Sequence, residues 1–131
     1  MEEIISKEAL YLVTLEFSTE NAGGGSMNLQ LAVDPVNNSL HGSASGRILE
    51  GTQFSPEFTA KGTGCYHATG YGNITKVGMI EGQALVAFGG EVIGSYLAPF
   101  SASFGVDNDW NGEGQFVVGE NCYQCKVTAV S

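Results

Sequence analysis

The sequence predicts an all-β fold, an antiparallel up-and-down β-barrel of about eight strands, with a β-sandwich as the alternative. Apolar and polar residues alternate repeatedly, whereas no window of useful length keeps the 3.6-residue period of a helix. The 19 glycines, beside only 3 prolines, indicate tight turns and strands that approach one another closely. Several apolar faces combine large residues with Gly and Ala. Small inward residues suit the interior of a narrow barrel, so the barrel is favoured over the sandwich.

The first half of the chain is expected to supply three strands. Residues 1–8 are polar and are expected to be a loose N-terminal segment. Leu10 and Leu12 lie on the second face of the first strand, so the beginning of that strand is expected to be covered on both sides. A flexible connection is predicted over 21–26 and a turn over 34–38. The expected inward faces are Tyr11, Val13, Leu15 and Phe17; then Met27, Leu29, Leu31 and Val33; then Leu40, Gly42, Ala44, Gly46 and Ile48.

The second half is expected to supply five more strands. A loop is predicted over 49–57, a break over 70–73 and a longer connection over 91–99. The strand before that connection is expected to end at Gly89-Gly90, and a last turn lies at 119–121. The expected inward faces are Phe58, Ala60, Gly62, Gly64 and Tyr66; then Ile80, Gly82, Ala84, Val86 and Phe88; then Phe100, Ala102, Phe104 and Val106; then Gly114, Phe116 and Val118; then Tyr123, Cys125, Val127 and Ala129.

The segment 106–116 carries the strongest hairpin signal. It contains the only tryptophan, Trp110, followed by Asn111-Gly112. Asn-Gly between two alternating runs is the preferred type I′ hairpin turn, in which both residues have positive φ. The sequence therefore predicts a type I′ turn at Asn111-Gly112, with Trp110 near one end of the barrel.

Length and charge limit the class of protein. The 131 residues are expected to form one all-β domain, 1–131. Five Lys and Arg against 14 Asp and Glu give a net charge of −9, which argues against nucleic acid and anionic membranes as partners. No apolar run is long enough to span a membrane, and the first residues are acidic where a signal peptide is basic. With an odd number of cysteines, three, a cytoplasmic location is expected.

The same hairpin segment resembles the start of an acidic calcium loop. Asp107, Asp109 and Asn111 place oxygens at alternating positions before Gly112, and Glu113 supplies a further ligand. The twelfth position, where a bidentate Glu is needed, is Val118. The flanking segments are predicted strands rather than helices. A plain hairpin with solvated acidic residues is therefore favoured over a calcium site, and no other cofactor is expected.

Cysteine and histidine chemistry has little support in the sequence. Cys122 and Cys125 form a C-x-x-C pair, and Cys65 shares a strand face with His67. On a strand, positions i and i+3 point to opposite faces, so Cys122 and Cys125 diverge. A zinc site and a redox pair are both disfavoured. No nucleophile signature occurs, so the domain is expected to be non-catalytic.

Aromatic residues suggest an alternative, a small-ligand cup at a barrel mouth. The candidate ligand-binding residues are Trp110, Tyr66, Tyr96 and His41, and a small β-barrel enzyme of this kind would use His41 or His67 as a proton carrier. The competing interpretation is that these aromatic residues pack in the core and at its rim.

Two stretches resemble known families. Residues 40–46 and, within 104–116, the segment Asp107-Asn108-Asp109-Trp110-Asn111-Gly112 resemble a bacterial family of small all-β domains of unknown function. That resemblance implies no activity. Residues 25–29, 32–33 and 40–42 are similar to the first hairpin of avidin-like barrels, which implies an eight-stranded antiparallel barrel. Those proteins surround biotin with several tryptophans, whereas this chain has one, so the resemblance implies no biotin site.

Taken together, these patterns predict a non-catalytic binding or interaction module that self-associates, because exposed strand edges invite pairing. The alternatives are a small-ligand binder or enzyme with an aromatic cup, and a calcium-stabilised structural domain.

Overall fold

The computed structural model describes residues 10–19, 25–47, 57–69, 72, 74–87 and 95–130. They form an all-β, closed barrel of eight strands in which each strand is antiparallel to the next and β8 pairs with β1. The predicted fold class is confirmed. The strands are β1 Tyr11–Ser18, β2 Ser26–Asp34, β3 Ser39–Arg47, β4 Glu57–Ala68, β5 Lys76–Ala87, β6 Ser95–Val106, β7 Gly112–Val118 and β8 Asn121–Ala129. The described part of the chain contains no helix of the length and apolar character that a membrane span needs.

Inward-facing side chains fill the barrel between the described strands. The predicted inward faces are confirmed for the described residues except Tyr11, which is 40% exposed at the barrel end, and Ile48 and Phe88 lie outside the described residues. Near one end, Phe116 contacts Phe17, Phe58 and Tyr123, with ring centroids 6.3, 5.9 and 5.0 Å apart. Aliphatic residues fill the middle, where Leu29 and other large side chains are fully buried. These inward side chains therefore form a packed core inside the barrel.

Small residues form two rows across the inner wall of β3–β6. The strand register aligns Gly42, Gly62 and Gly82 in one row. The next row consists of Ala44, Ala60, Ala84 and Ala98. A Cβ atom at Gly42 would lie 2.7 Å from Cδ1 of Ile80, so large side chains already occupy the space in front of this wall. The small residues allow the wall to lie close to the core.

The hairpin between β6 and β7 differs from the predicted type I′ turn. Gly112 lies in β7 opposite Val106, and Asn111 and Gly112 are not among the residues with positive φ. Instead, the N–H of Trp110 donates to the carbonyl of Asp107 at 3.0 Å, and the N–H of Asp107 donates to the carbonyl of Asn111 at 2.9 Å. Trp110 itself adopts the left-handed conformation, with φ of 65°. The prediction was wrong because Gly112 serves close strand packing: a Cβ there would overlap the carbonyl oxygen of Gly105.

The predicted connection over 91–99 was also wrong at its end, because Pro99 lies inside β6. Its carbonyl accepts a 2.9 Å hydrogen bond from the N–H of Gly119, just beyond β7. In an antiparallel strand the N and C=O of one residue point to the same neighbour. The nitrogen of Pro99 therefore faces the side on which β7 has already ended, where a missing N–H costs no ladder bond.

Two smaller expectations were also wrong. Glu57 begins β4 rather than ending the preceding loop. Leu10 and Leu12 are 62% and 79% exposed, so the beginning of β1 is not covered on its outer face. The predicted segments 1–8, 21–24, 49–56 and 89–94, together with Gly70, Tyr71 and Asn73, lie outside the described residues.

Candidate functional site

The four residues predicted to line an aromatic cup do not come together. Trp110 and Tyr66 are both buried at the barrel end where β4 and β6 finish. Tyr96 lies at the start of β6, at the opposite end, and is 44% exposed. His41 is exposed on the outer face of β3. The structure thus brings together two of the four residues.

Trp110 closes one end of the barrel. Its ring lies 6.4 Å from the ring of Tyr11 in an edge-to-face arrangement and 6.0 Å from that of Phe104. The ammonium of Lys76 lies 5.0 Å from the Trp110 ring centroid, a distance at which a cation is attracted to the ring face. Trp110 is only 8% exposed. These contacts make it a cap on the core rather than the wall of an open cup.

Tyr11 belongs to this barrel end, although the sequence had suggested only that it shares an inward face. Partial burial raises the pKa of the Tyr11 hydroxyl, and the neighbouring Tyr66 raises it further. Burial also raises the pKa of Tyr66, with an additional contribution from the negative charge of Asp34. Both phenols therefore stay protonated at neutral pH. They can donate and accept hydrogen bonds there, but they are not general bases.

In the acidic turn, two of the side-chain oxygens accept hydrogen bonds from backbone N–H groups of the protein. Asp107 Oδ1 accepts hydrogen bonds from the backbone N–H groups of Asp109, at 2.8 Å, and Asn111, at 3.1 Å. Asn111 Oδ1 accepts from the N–H of Ala129 at 2.9 Å and so ties the turn to β8. Asp109 and Glu113 are exposed. Among the described residues, no group of three or more His, Cys, Asp or Glu side chains could hold a metal ion. The calcium site stays a prediction.

The cysteines diverge as the strand periodicity predicts. Cys122 is exposed and Cys125 is buried, on opposite faces of β8, and Cys65 is exposed on β4. Burial raises the pKa of the Cys125 thiol to about 11, and the nearby Cys122 contributes to the increase. A thiol with so high a pKa is a weak nucleophile at neutral pH.

The outer face of β1–β6 carries a depression of about 940 Å³, here called the outer groove. It lies directly outside the row of inward alanines, where the wall is close to the core. Two rows of outward side chains line it. The first is Thr14, Gln30, Ser43, Lys61 and Gln83, which are register partners from β1 to β5. The second is Asn28, Ser45, Thr59, Leu85 and Leu97, from β2 to β6. This site is not apparent from the sequence, because its lining residues are brought together only by the strand register.

At one end of the barrel, β1 extends past the end of β8. β8 pairs with β1 only over Leu15–Ser18, and the N–H of Val130 donates to the carbonyl of Thr14. In a strand, the backbone groups of residues i and i+2 point to the same neighbouring strand. The N–H and C=O of Leu12 therefore point to the same side as those of Thr14, toward β8, but at a position beyond Val130. They have no hydrogen-bond partner among the described residues. Residues 10–13 are here called the β1 edge.

The comparisons with known proteins identify a family. A family model described as a domain of unknown function, DUF1842, matches residues 8–123. This match is consistent with the resemblance to a family of unknown function, while the likeness to avidin-like barrels stays a prediction. No curated protein matches the chain. Because the matched range covers most of the chain, the protein belongs to the DUF1842 family of domains of unknown function.

Proposed function

We propose that this domain is a non-catalytic interaction module that self-associates through the β1 edge. The observation that supports the proposal is Leu12, whose side chain is 79% exposed and whose backbone groups are unpaired among the described residues. An exposed strand edge with an apolar side chain is a template for pairing with another strand. A second copy of β1, running antiparallel, fits this edge in a symmetric dimer.

Charge favours pairing at this position. The chain carries a net charge of −9, so two copies repel each other wherever acidic surfaces meet. The β1 edge and Thr14 carry no charge, and the first acidic residue of β1 is Glu16. Contact limited to residues 10–14 therefore avoids direct juxtaposition of like charges.

The extension of β6 is a poorer site for pairing than the β1 edge. β6 extends past the end of β7, and Leu97 there is 64% exposed. Pro99 faces the same side and lacks an N–H, so it interrupts a continuous ladder. Natural proteins protect sheet edges in this way, whereas residues 10–13 contain no proline.

The packing of the barrel supports the non-catalytic part of the proposal. Side chains occupy the interior, and the phenols beside Trp110 have raised pKa values that leave them protonated. His41 lies on the outer face of β3, on the opposite side of the barrel wall from the inward residues of that end. These observations favour a packed cap over a catalytic cup.

Native mass spectrometry and light scattering over a range of protein concentrations test the proposal. We expect a dimer that dissociates on dilution. Leu12→Lys should give a monomer, because it places two positive charges opposite each other at the pairing edge without removing a core side chain. Leu97→Lys is the matched control and should leave the dimer intact. A monomeric wild type at all concentrations, or a dimeric Leu12→Lys variant, would contradict the proposal.

A further inference from the structure

We propose that the outer groove is a binding site for a neutral, hydroxyl-rich ligand, an oligosaccharide chain. This inference does not rest on self-association, because the side chains that carry it lie on β2–β6, whereas the proposed dimer pairs the backbone of β1; Thr14 is common to the groove lining and the proposed dimer contact. It rests on the chemistry of the groove lining, on its charge and on the spacing of its side chains.

The lining offers amide and hydroxyl groups to a ligand. Asn28, Gln30 and Gln83 are exposed, and no hydrogen bond ties their side chains to the rest of the described protein. Ser43 and Thr59 are exposed between them. Amides and hydroxyls both donate and accept, as sugar hydroxyls do, so each can pair with a sugar hydroxyl in either sense.

The charge of the lining residues argues against phosphate-rich ligands and against cations. Lys61 is the one charged residue among the groove's lining residues, so the groove lacks the cluster of basic groups that a phosphate-rich ligand needs. The net charge of −9 further opposes anions. No carboxylate lies among the lining residues, so a hard cation finds no charged ligand there. A neutral polar ligand remains.

The groove has the dimensions of a chain-binding site. Its volume of about 940 Å³ is in the range of small-molecule sites. Neighbouring strands are about 4.8 Å apart, so a row crossing from β2 to β5 repeats its polar side chains at about that interval. This interval is close to the repeat of sugar rings along an extended oligosaccharide. A chain lying across the strands can therefore meet one polar side chain per sugar.

An apolar platform ends the groove. Leu85 and Leu97 are register partners on β5 and β6, and they are 45% and 64% exposed. The C–H face of a sugar ring is apolar, and it can pack on such a pair while its hydroxyls reach Thr59, the register partner of Leu85 on β4. The platform and the polar rows together match the two-sided chemistry of a sugar.

The test uses the ¹⁵N-labelled full chain titrated with maltohexaose, cellohexaose and N-acetylchitohexaose, each to millimolar concentration. We expect at least one hexasaccharide to shift backbone amide signals of β2–β5 around Gln30, Ser43 and Gln83. No shift with any of the three, or shifts confined to other strands, would overturn the proposal. Binding of a neutral Ser/Thr/Gln peptide in place of all three sugars would also overturn it.

Variants locate the site. The double variant Gln30→Ala/Gln83→Ala should bind the sugar about tenfold more weakly, since two ligand hydrogen bonds are lost. Gln124→Ala, which removes an exposed amide from the outer face of β8, is the matched control and should bind normally. Leu12→Lys should also bind normally, which separates the groove from the proposed dimer. Unchanged affinity in the double variant would place the ligand elsewhere and overturn the assignment.

Discussion

The ammonium nitrogen of Lys76 lies 5.0 Å from the centroid of the Trp110 ring. Lys76 begins β5, and Trp110 belongs to the turn after β6, so this contact joins two adjacent strands at the end of the barrel. Trp110 holds its place despite φ of 65°, a conformation that costs a non-glycine residue roughly 1–2 kcal/mol. The contacts with Lys76, Tyr11 and Phe104 offset that cost.

Removing the Lys76 charge should therefore weaken the barrel end. We expect Lys76→Gln to lower the free energy of unfolding by about 0.5–1 kcal/mol, the usual strength of a partly exposed cation–π contact. Lys61→Gln is the matched control, since Lys61 is exposed on the outer face and has no ring contact among the described residues. Urea denaturation of both variants measures the difference. Equal effects would show that the contact with Trp110 does not stabilise the fold.

Gly112 should not tolerate a side chain, although its φ is not positive. A Cβ at Gly112 would overlap the carbonyl of Gly105, so Gly112→Ala should lower the free energy of unfolding by roughly 1–3 kcal/mol. Gly105→Ala is the matched control in the same hairpin. Its new Cβ would lie 3.3 Å from Cγ2 of Ile74, a side chain that can move. A similar loss in both variants would contradict the close-packing explanation.

Gly112 also shows how far the sequence predicts this fold. Alternation in the sequence identified the strands and their inward faces, because the two-residue period depends only on local geometry. The turn was misassigned because Asn-Gly favours a type I′ turn locally, whereas the close approach of β6 to Gly112 is a tertiary contact. No local pattern distinguishes the two uses of a glycine.

The candidate site was less predictable than the fold. Tyr11 was expected on an inward face, but its contact with Trp110 depends on how β1 is staggered against the β6–β7 turn. The outer groove depends on the register of six strands. Its one sequence signal was the Gly and Ala content of β3–β5, which had been interpreted only as a property of the interior.

The buried thiol of Cys125 predicts a pH dependence of stability. Burial raises its pKa in the folded protein from the ordinary value of 9.0 to about 11. The folded state therefore keeps a proton that the unfolded state releases. The contribution of this thiol is fully present below pH 9.0 and is lost as the pH rises toward about 11. We expect the wild-type Tm to fall over this range, and to fall less in Cys125→Ala. Parallel curves for the two proteins would contradict a buried, protonated thiol.

Cys125 should also resist alkylation in the native state. At pH 8, iodoacetamide should modify the exposed Cys65 and Cys122 and leave Cys125 unmodified until the protein is denatured. Peptide mass mapping identifies the modified positions. Rapid labelling of native Cys125 would show that β8 opens readily.

Substitutions at Asp107 distinguish a turn held by hydrogen bonds from a calcium site. Its Oδ1 accepts two backbone hydrogen bonds, so Asp107→Ala should lower the free energy of unfolding by about 1–2 kcal/mol in metal-free buffer. Asp107→Asn keeps an oxygen at the same position and should recover most of this loss, although it removes one carboxylate charge from the candidate calcium ligands and so should weaken calcium binding. Since Asn111 Oδ1 is also engaged, by the N–H of Ala129, we expect neither calcium nor a chelator to change the wild-type Tm. A calcium-dependent increase in Tm that Asp107→Asn abolishes would instead establish the calcium site, because a turn held by hydrogen bonds alone does not respond to the metal.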